Sequence, residues 1–473
     1  MNEKKKIVVL GAGIGGLSAG YFLTRTGDYD VTILEKAPVI GGLCGSFEYD
    51  GFTLDYGAHK IYSVIPGVLD EIQNLMGDRL LRLPKKNRLF LRGRLVDYPL
   101  KLGNLAKVLG LGMFLKIGFG YALSMLQGIF DKREARSYEA YMLKRFGRAG
   151  YELVFEPLAD KVWGQPDELH PEMARTRVPA SSGLEVILKL LGLKKETAET
   201  NAESFYYPRA GFGDFPQVMR EQIEAEGGKI LVNVDKLSFE RHGNHIRVVN
   251  GVVDGDEQNF PADYLVSSIP LPVLGSLIFG ADEQEFPQMV ANLQFRHLVM
   301  VYVFVKQPLI LDDQWIFFPE RKFIFSRIFE QKQMNPDLGP EDRTAICCDF
   351  TCDEDSWQWQ ASDDQLIQKC IDGLVEAGFI SSNDVTDTLI IRQRNFYPRY
   401  DQHYVQNLKS VNEYLQQVEN LLLTGRIGMY NYNNSDHCVD MGRFIADNMK
   451  VGEKPKDIWN ALEKRVSNYK IVD

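Results

Sequence analysis

Apolar residues gather into short continuous runs near the two ends of the chain, while alternating strand signals dominate its middle. Ile7-Val8-Val9-Leu10 has the length and β-branched composition of a strand buried in a parallel sheet. Gly16, Ala19, Gly20 and Leu23 then recur at helical spacing and present a small-residue seam, and Val31-Thr32-Ile33-Leu34 is a second buried strand. Further on, the spacing predicts a short helix over 69–76 and a hairpin over 89–99 that turns at Arg92-Gly93-Arg94. An amphipathic helix over 138–147 follows, then a polar stretch over 194–203 that reads as a mobile loop, and a helix over 217–226. A strand over 229–234 is expected to return to the first sheet, with 246–249 and 264–270 completing a small sheet beside it. Strands over 297–306, 315–318, 322–329 and 344–351 and a helix over 363–377 give the middle the look of an antiparallel, α+β unit. Near the C-terminus an apolar strand ends at Gly425-Arg426, and Ser435 or Asp436 caps a helix running to 449.

Charge narrows the partners. Against 54 lysines and arginines stand 64 acids, a net charge of −10, which argues against nucleic acid. The N-terminus enters a strand directly after three lysines with no apolar leader, so the expected location is cytoplasmic, with a membrane-peripheral one as the variant. Locally the sign reverses, because 79–107 carries nine basic residues and one acid. That segment runs into an apolar, glycine-rich stretch over 105–130, whose longest uncharged run, fourteen residues over 117–130, is too short to cross a bilayer. Two readings follow for 79–130: a helical cap with a basic face, or a patch that meets a membrane surface. Six scattered cysteines are too few for a disulfide framework, and Cys347, Cys348 and Cys352 have no histidine nearby, so neither disulfides nor a metal site is expected.

The candidate chemistry starts at Gly11-Ala12-Gly13-Ile14-Gly15-Gly16, a G-x-G-x-x-G turn between strand and helix. Gly11 permits the tight turn, Gly13 lets the backbone approach a pyrophosphate, and the last glycines, Gly15 and Gly16, let the helix press against the strand. Glu35 follows the second strand, where a carboxylate accepts the hydroxyls of an adenosine ribose and repels a 2′-phosphate, and Lys36 adjoins it. The bland alternative is a βαβ unit that binds nothing. A second glycine cluster, including Gly41, Gly42 and Leu43, and then Gly57 and His59, comes too soon for a second phosphate turn of dehydrogenase type; it suits a long ligand lying across the sheet.

This pairing resembles the FAD-binding domain of the flavin amine oxidase superfamily, which includes protoporphyrinogen oxidase, phytoene desaturase and UDP-galactopyranose mutase. The resemblance implies an α/β fold: a Rossmann-like, GR2-type FAD-binding domain over 1–98, 201–270 and 401–473, an inserted helical segment over 99–200, and an α+β substrate domain over 271–400. It implies FAD as cofactor, held non-covalently, with the Val234 backbone at the adenine. Lys161-Val162-Trp163-Gly164 with Arg177 downstream is similar to a pocket-lining stretch of the mutases. The C-terminal string containing Gly425, Arg426, Tyr432, Asn434, Ser435 and His437 is closest to the mutase pattern. By that likeness Trp163, Arg177, Arg327, Tyr397, Arg399 and Tyr432 are the substrate-site candidates, and His59 and Arg426 the groups at the flavin edge. A helix N-terminus near Asn434 and Ser435 would stabilise negative charge at N1 and O2 of reduced flavin.

Three functions are consistent with these residues. In a mutase-like enzyme, reduced flavin N5 attacks an anomeric carbon, a nucleotide diphosphate leaves, and the sugar ring opens and recloses without net redox. In an oxidase- or desaturase-like enzyme, a hydride leaves a C–N or C–C bond of an amine or a large apolar substrate. In the third, FAD is a structural element of an interaction protein. Neither the substrate nor the oligomeric state is legible.

Overall fold

A computed structural model describes residues 4–98, 102–130, 133–177, 203–280 and 285–471; at 98, 102–105, 128–130, 177, 285, 287 and 288 it describes the backbone alone. Its centre is a five-stranded parallel sheet in the order Leu421–Leu423, Tyr264–Ser267, β1 (Lys5–Leu10), β2 (Tyr29–Leu34), Lys229–Leu231. Residues 7–10 of β1 are buried on both faces, which is why they form a continuous apolar run. Helix α1 (Ile14–Arg25) follows the glycine turn and packs between the sheet and the helices Asp214–Ala225 and Ser435–Lys450. A Cβ on Gly442 would lie 2.5 Å from the Ser18 carbonyl carbon, so the last of these helices touches the α1 backbone itself.

Two strand assignments change. Only Lys229–Leu231 joins the parallel sheet; Asn233 takes a left-handed conformation (φ 56°) and Val234 starts a separate three-stranded antiparallel sheet, Val234–His242, His245–Val253 and Asp256–Pro261. Asparagine tolerates that conformation better than most residues, which lets it redirect the chain. Tyr264–Ser267 belongs to the parallel sheet, between β1 and Leu421–Leu423. Leu265 and Val266 are fully buried there, as an interior strand requires.

A seven-stranded sheet stands opposite, in the order Val385–Pro398, Phe295–Val305, Thr344–Cys352, Arg327–Glu330, Trp315–Phe317, Asn87–Leu91, Arg94–Tyr98. All its pairings are antiparallel except Trp315–Phe317 with Asn87–Leu91. The expected hairpin is therefore an edge of this sheet. The run over 322–329 is a strand only at Arg327–Glu330, because Phe323 and Phe325 turn inward to pack with Phe318. All six cysteines are free thiols, and among the described residues no cluster of metal-ligating side chains forms.

The apolar stretch is two helices, Leu102–Leu109 and Leu111–Phe130, broken at Gly110 (φ 76°). Leu111–Phe130 lies against Tyr138–Gly150, closely enough that a Cβ on Gly147 would meet the Gly120 carbonyl at 2.5 Å. Among the described residues no helix is long and apolar enough to cross a membrane. Of the polar stretch over 194–203, residues 194–202 lie outside the described residues. The C-terminal helix is capped one residue earlier than expected: Asn434 is the N-cap, and its N–H donates to His437 Nδ1 at 3.0 Å.

Candidate active site

A cavity of about 830 Å³ runs from the carboxyl end of β1 to the face of the seven-stranded sheet. Its first end is built from glycines. Gly11 is left-handed (φ 90°) and its N–H donates to the Leu34 carbonyl at 2.8 Å, which turns the chain from β1 across to the end of β2. A Cβ on Gly16 would stand 1.9 Å from the Gly11 carbonyl oxygen, and one on Gly15 would stand 2.6 Å from Gly425 Cα. At Gly13 a Cβ would meet nothing within 4 Å, because that residue opens onto the cavity. Gly41 donates its N–H to the Ala12 carbonyl at 2.8 Å, and Gly41 and Gly42 are both left-handed, so the second glycine cluster is stitched to the first. Glu35 fixes the same turn through its carboxylate: Oε2 accepts from the Ala12 N–H at 2.6 Å and Oε1 from the Ala37 N–H at 2.8 Å. Lys36, Gly42, Leu43 and Val234 also line this end, and the Val234 N–H is committed to the Glu35 carbonyl at 2.9 Å.

At the other end Gly57 (φ 125°) turns the chain to present His59, whose ring stacks on Phe212 with centroids 4.7 Å apart. Its Nδ1 has no hydrogen-bond partner among the described residues. Burial, then the charges of Arg426 and Arg327, push His59 down to about 3, so the ring is neutral at physiological pH. Arg426 donates from Nε to the Asn433 carbonyl at 2.7 Å, and its guanidinium lies over Tyr397 and Tyr432, at 5.3 and 5.9 Å from the ring centroids. Tyr397 and Tyr432 stack at 4.5 Å, and Trp163 Nε1 donates to the Tyr432 hydroxyl at 3.2 Å. Asn434, Ser435 and Gly425 complete this wall, which places the first turn of Ser435–Lys450 at the cavity.

The six substrate-site candidates separate. Trp163, Tyr397, Tyr432 and Arg327 line the cavity with Arg426 and His59. Arg327 is compensated there, since its Nε donates to Asp349 Oδ2 at 2.9 Å and Nη2 reaches the same oxygen. Arg399 is not on the cavity wall; it pairs with Glu168 at 2.7 Å and donates to Gln294 Oε1 at 3.2 Å. Arg177 ends the helix Glu172–Arg177, and its side chain lies outside the described residues. Among the described residues no carboxylate pairs with Arg426, unlike the other two. Sequence reasoning missed Asn87, whose buried Oδ1 has no partner among the described residues, and Cys44 and Cys438, whose thiols burial pushes up to about 12 and so keeps protonated. It also missed the apolar wall of Leu89, Val154, Phe155, Leu158 and Leu298, which comes from four separate elements that only the tertiary fold brings together.

A glycine-lined cavity at the carboxyl ends of parallel strands, opening onto a second, mostly antiparallel sheet, is where open α/β sheets take dinucleotides. FAD fits the residues present: the glycine turns leave room at Gly13, a helix N-terminus faces the cavity, and His59 Nδ1 is an unsatisfied polar atom at its far end. The chain belongs to the flavin-containing amine oxidoreductase family, whose sequence profile matches residues 14–426. Membership implies a flavin cofactor. Over 99% of this chain and 100% of the other, the fold matches reduced UDP-galactopyranose mutase with a TM-score of 0.83 at 20% identity. A putative protoporphyrinogen oxidase from Exiguobacterium sp. 255-15 matches with a TM-score of 0.72 at 20% identity, over 95% and 100% of the two chains. By sequence the chain is 23% identical to 4,4′-diaponeurosporene oxygenase of Staphylococcus haemolyticus over 286 residues, 56% of this chain and 55% of that enzyme. It is 38% identical to the zeta-carotene-forming phytoene desaturase of Myxococcus xanthus over 98 residues, 20% of this chain and 18% of that one. The chain thus spans about half, or less, of these two curated relatives.

Proposed function

We propose that this protein holds FAD non-covalently and acts on a nucleotide-linked sugar with mutase-like chemistry. The observation that carries the reading is the convergence of Trp163, Tyr397 and Tyr432 around Arg426, the one candidate arginine on the cavity wall that no described carboxylate neutralises. FAD supplies the nucleophilic and reducible ring that none of the side chains provides. Arg426, on the cavity wall, is held at Nε by the Asn433 carbonyl, which leaves its two terminal nitrogens as a fork for phosphate oxygens. The Trp163 N–H fixes the Tyr432 hydroxyl, which sits on the same side. Neutral His59 offers a ring nitrogen without adding charge beside Arg426.

A second reading is favoured by one specific observation. Arg327 is neutralised by Asp349, and much of the remaining wall is aliphatic and aromatic, which suits hydride removal from a large apolar substrate. Titration of oxidised and dithionite-reduced holoprotein with uridine diphosphate and other nucleoside diphosphates, followed by flavin absorbance, separates the two. On the mutase-like reading the reduced wild type binds more tightly than the oxidised, and Arg426→Ala loses about 1.5–3 kcal/mol, the range of a charged hydrogen bond. If no nucleotide perturbs either redox state, the reading fails and the apolar-substrate enzyme takes its place.

A further inference from the structure

The helix Leu111–Phe130 buries one side and leaves the other bare. Its inner face rests on Tyr138–Gly150 through Gly120 and Ser124, and Leu102–Leu109 continues it past Gly110. On the outer face Leu111, Leu115, Phe119, Leu123 and Leu126 are exposed, Leu111 by 71% and Phe119 by 73%. At 100° per residue these five fall within an arc of about 120°, so they form one stripe along a helix about 30 Å long. A monomeric soluble protein seldom presents so continuous an apolar strip to water.

The charge around the stripe indicates what covers it. In a chain of net charge −10, residues 98–130 contain no aspartate or glutamate, and Lys116 beside the stripe and Lys107 on the preceding helix are both exposed. The hairpin whose exposed tip carries Arg92 and Arg94 packs beneath the same two helices, through Leu91 and Val96 against Leu109. A bare apolar strip rimmed by cations and free of acids complements an anionic lipid surface. The inner face is occupied, and no described helix is long and apolar enough to span, so contact with a bilayer here means lying along its surface.

We propose that Leu111–Phe130 docks this protein on anionic lipid bilayers, with its outer stripe among the acyl chains and Lys107 and Lys116 at the headgroups. The docked face stands close to the chemistry. Leu89 and Val154 belong both to the apolar cluster under these helices and to the wall of the cavity, so the docked helix and the site share one apolar cluster. This inference holds for either substrate reading.

Flotation of holoprotein with vesicles of equal parts phosphatidylglycerol and phosphatidylcholine, against phosphatidylcholine alone, tests it. Wild type should rise with the anionic vesicles at low salt and remain below with the neutral ones. Lys107→Glu with Lys116→Glu should lower the partition by about 30-fold or more, and Leu115→Asp with Phe119→Asp should abolish it. Circular dichroism and flavin occupancy confirm that each variant is folded, and if the apolar variant fails to fold, the lysine pair and the salt dependence decide alone. Wild type that stays at the bottom, or variants that float as well as it does, overturn the proposal. So does light scattering that shows a wild-type dimer split by Phe119→Asp, since a second copy then covers the stripe.

Discussion

Burial, followed by the charges of Arg426 and Arg327, holds the His59 pKa at about 3, against about 6.5 for a free histidine. The unfolded chain therefore binds one more proton than the folded one between those values. Stability from this residue is intact above about pH 6.5 and falls as the pH drops towards 3. His59→Asn should accordingly lose less thermal stability than wild type between about pH 7 and pH 4, as read by scanning calorimetry of both proteins; parallel curves would mean the imidazole protonates in place. The glycine turn was legible because backbone geometry dictates it: a Cβ at Gly15 or Gly16 would collide with the backbone of Gly425 or Gly11. Glu35, expected at a ribose, spends its carboxylate on the Ala12 and Ala37 N–H groups, a role its position in the sequence does not reveal. The arginines were no more legible. Nothing local distinguishes Arg399 from Arg426, because the carboxylate that holds Arg399 lies 231 residues away at Glu168. Arg327 meets Asp349 only because strand register sets them opposite each other.

Gly442 shows how one element constrains another. It brings Ser435–Lys450 onto the backbone of α1 at Ser18 and Ala19, and so sets where the first turn of that helix meets the cavity. Gly442→Val would force the two helices apart, at about 1–3 kcal/mol by the usual scale of overpacking. Denaturant unfolding should report that loss together with weaker flavin retention, whereas an unchanged midpoint would show that the contact is dispensable. The small-residue seam of α1 was readable from its helical spacing, but its partner was not. Sheet membership was the hardest property to read, since the apolar run at Tyr264–Ser267 suits an interior strand of any sheet and only the tertiary fold places it beside β1. The break at Gly110 inside the apolar stretch was not read either, because one glycine among several there carries no local mark of its positive φ.

The cavity lies where the two large sheets approach each other, lined from both and from the helices between, so ligand and fold are thermodynamically linked. FAD supplied to apo-protein at about one hundred times its Kd should stabilise the whole molecule by about 2.7 kcal/mol. A melting temperature indifferent to FAD would contradict the assigned cradle. The architecture was legible as a parallel sheet plus an antiparallel one, but not the position of the hairpin at Asn87–Leu91, which lies early in the chain yet pairs with Trp315–Phe317. The contact between Gly15 and Gly425 also bears on biosynthesis. The phosphate turn leaves the ribosome about 410 residues ahead of the segment that closes it, 425 minus 15, and β1 must wait for Tyr264–Ser267 before its second edge is paired. Until then the nascent chain carries an open strand edge that invites chaperones, and any nonsense codon before 421 leaves a product without the strand Leu421–Leu423 of the sheet.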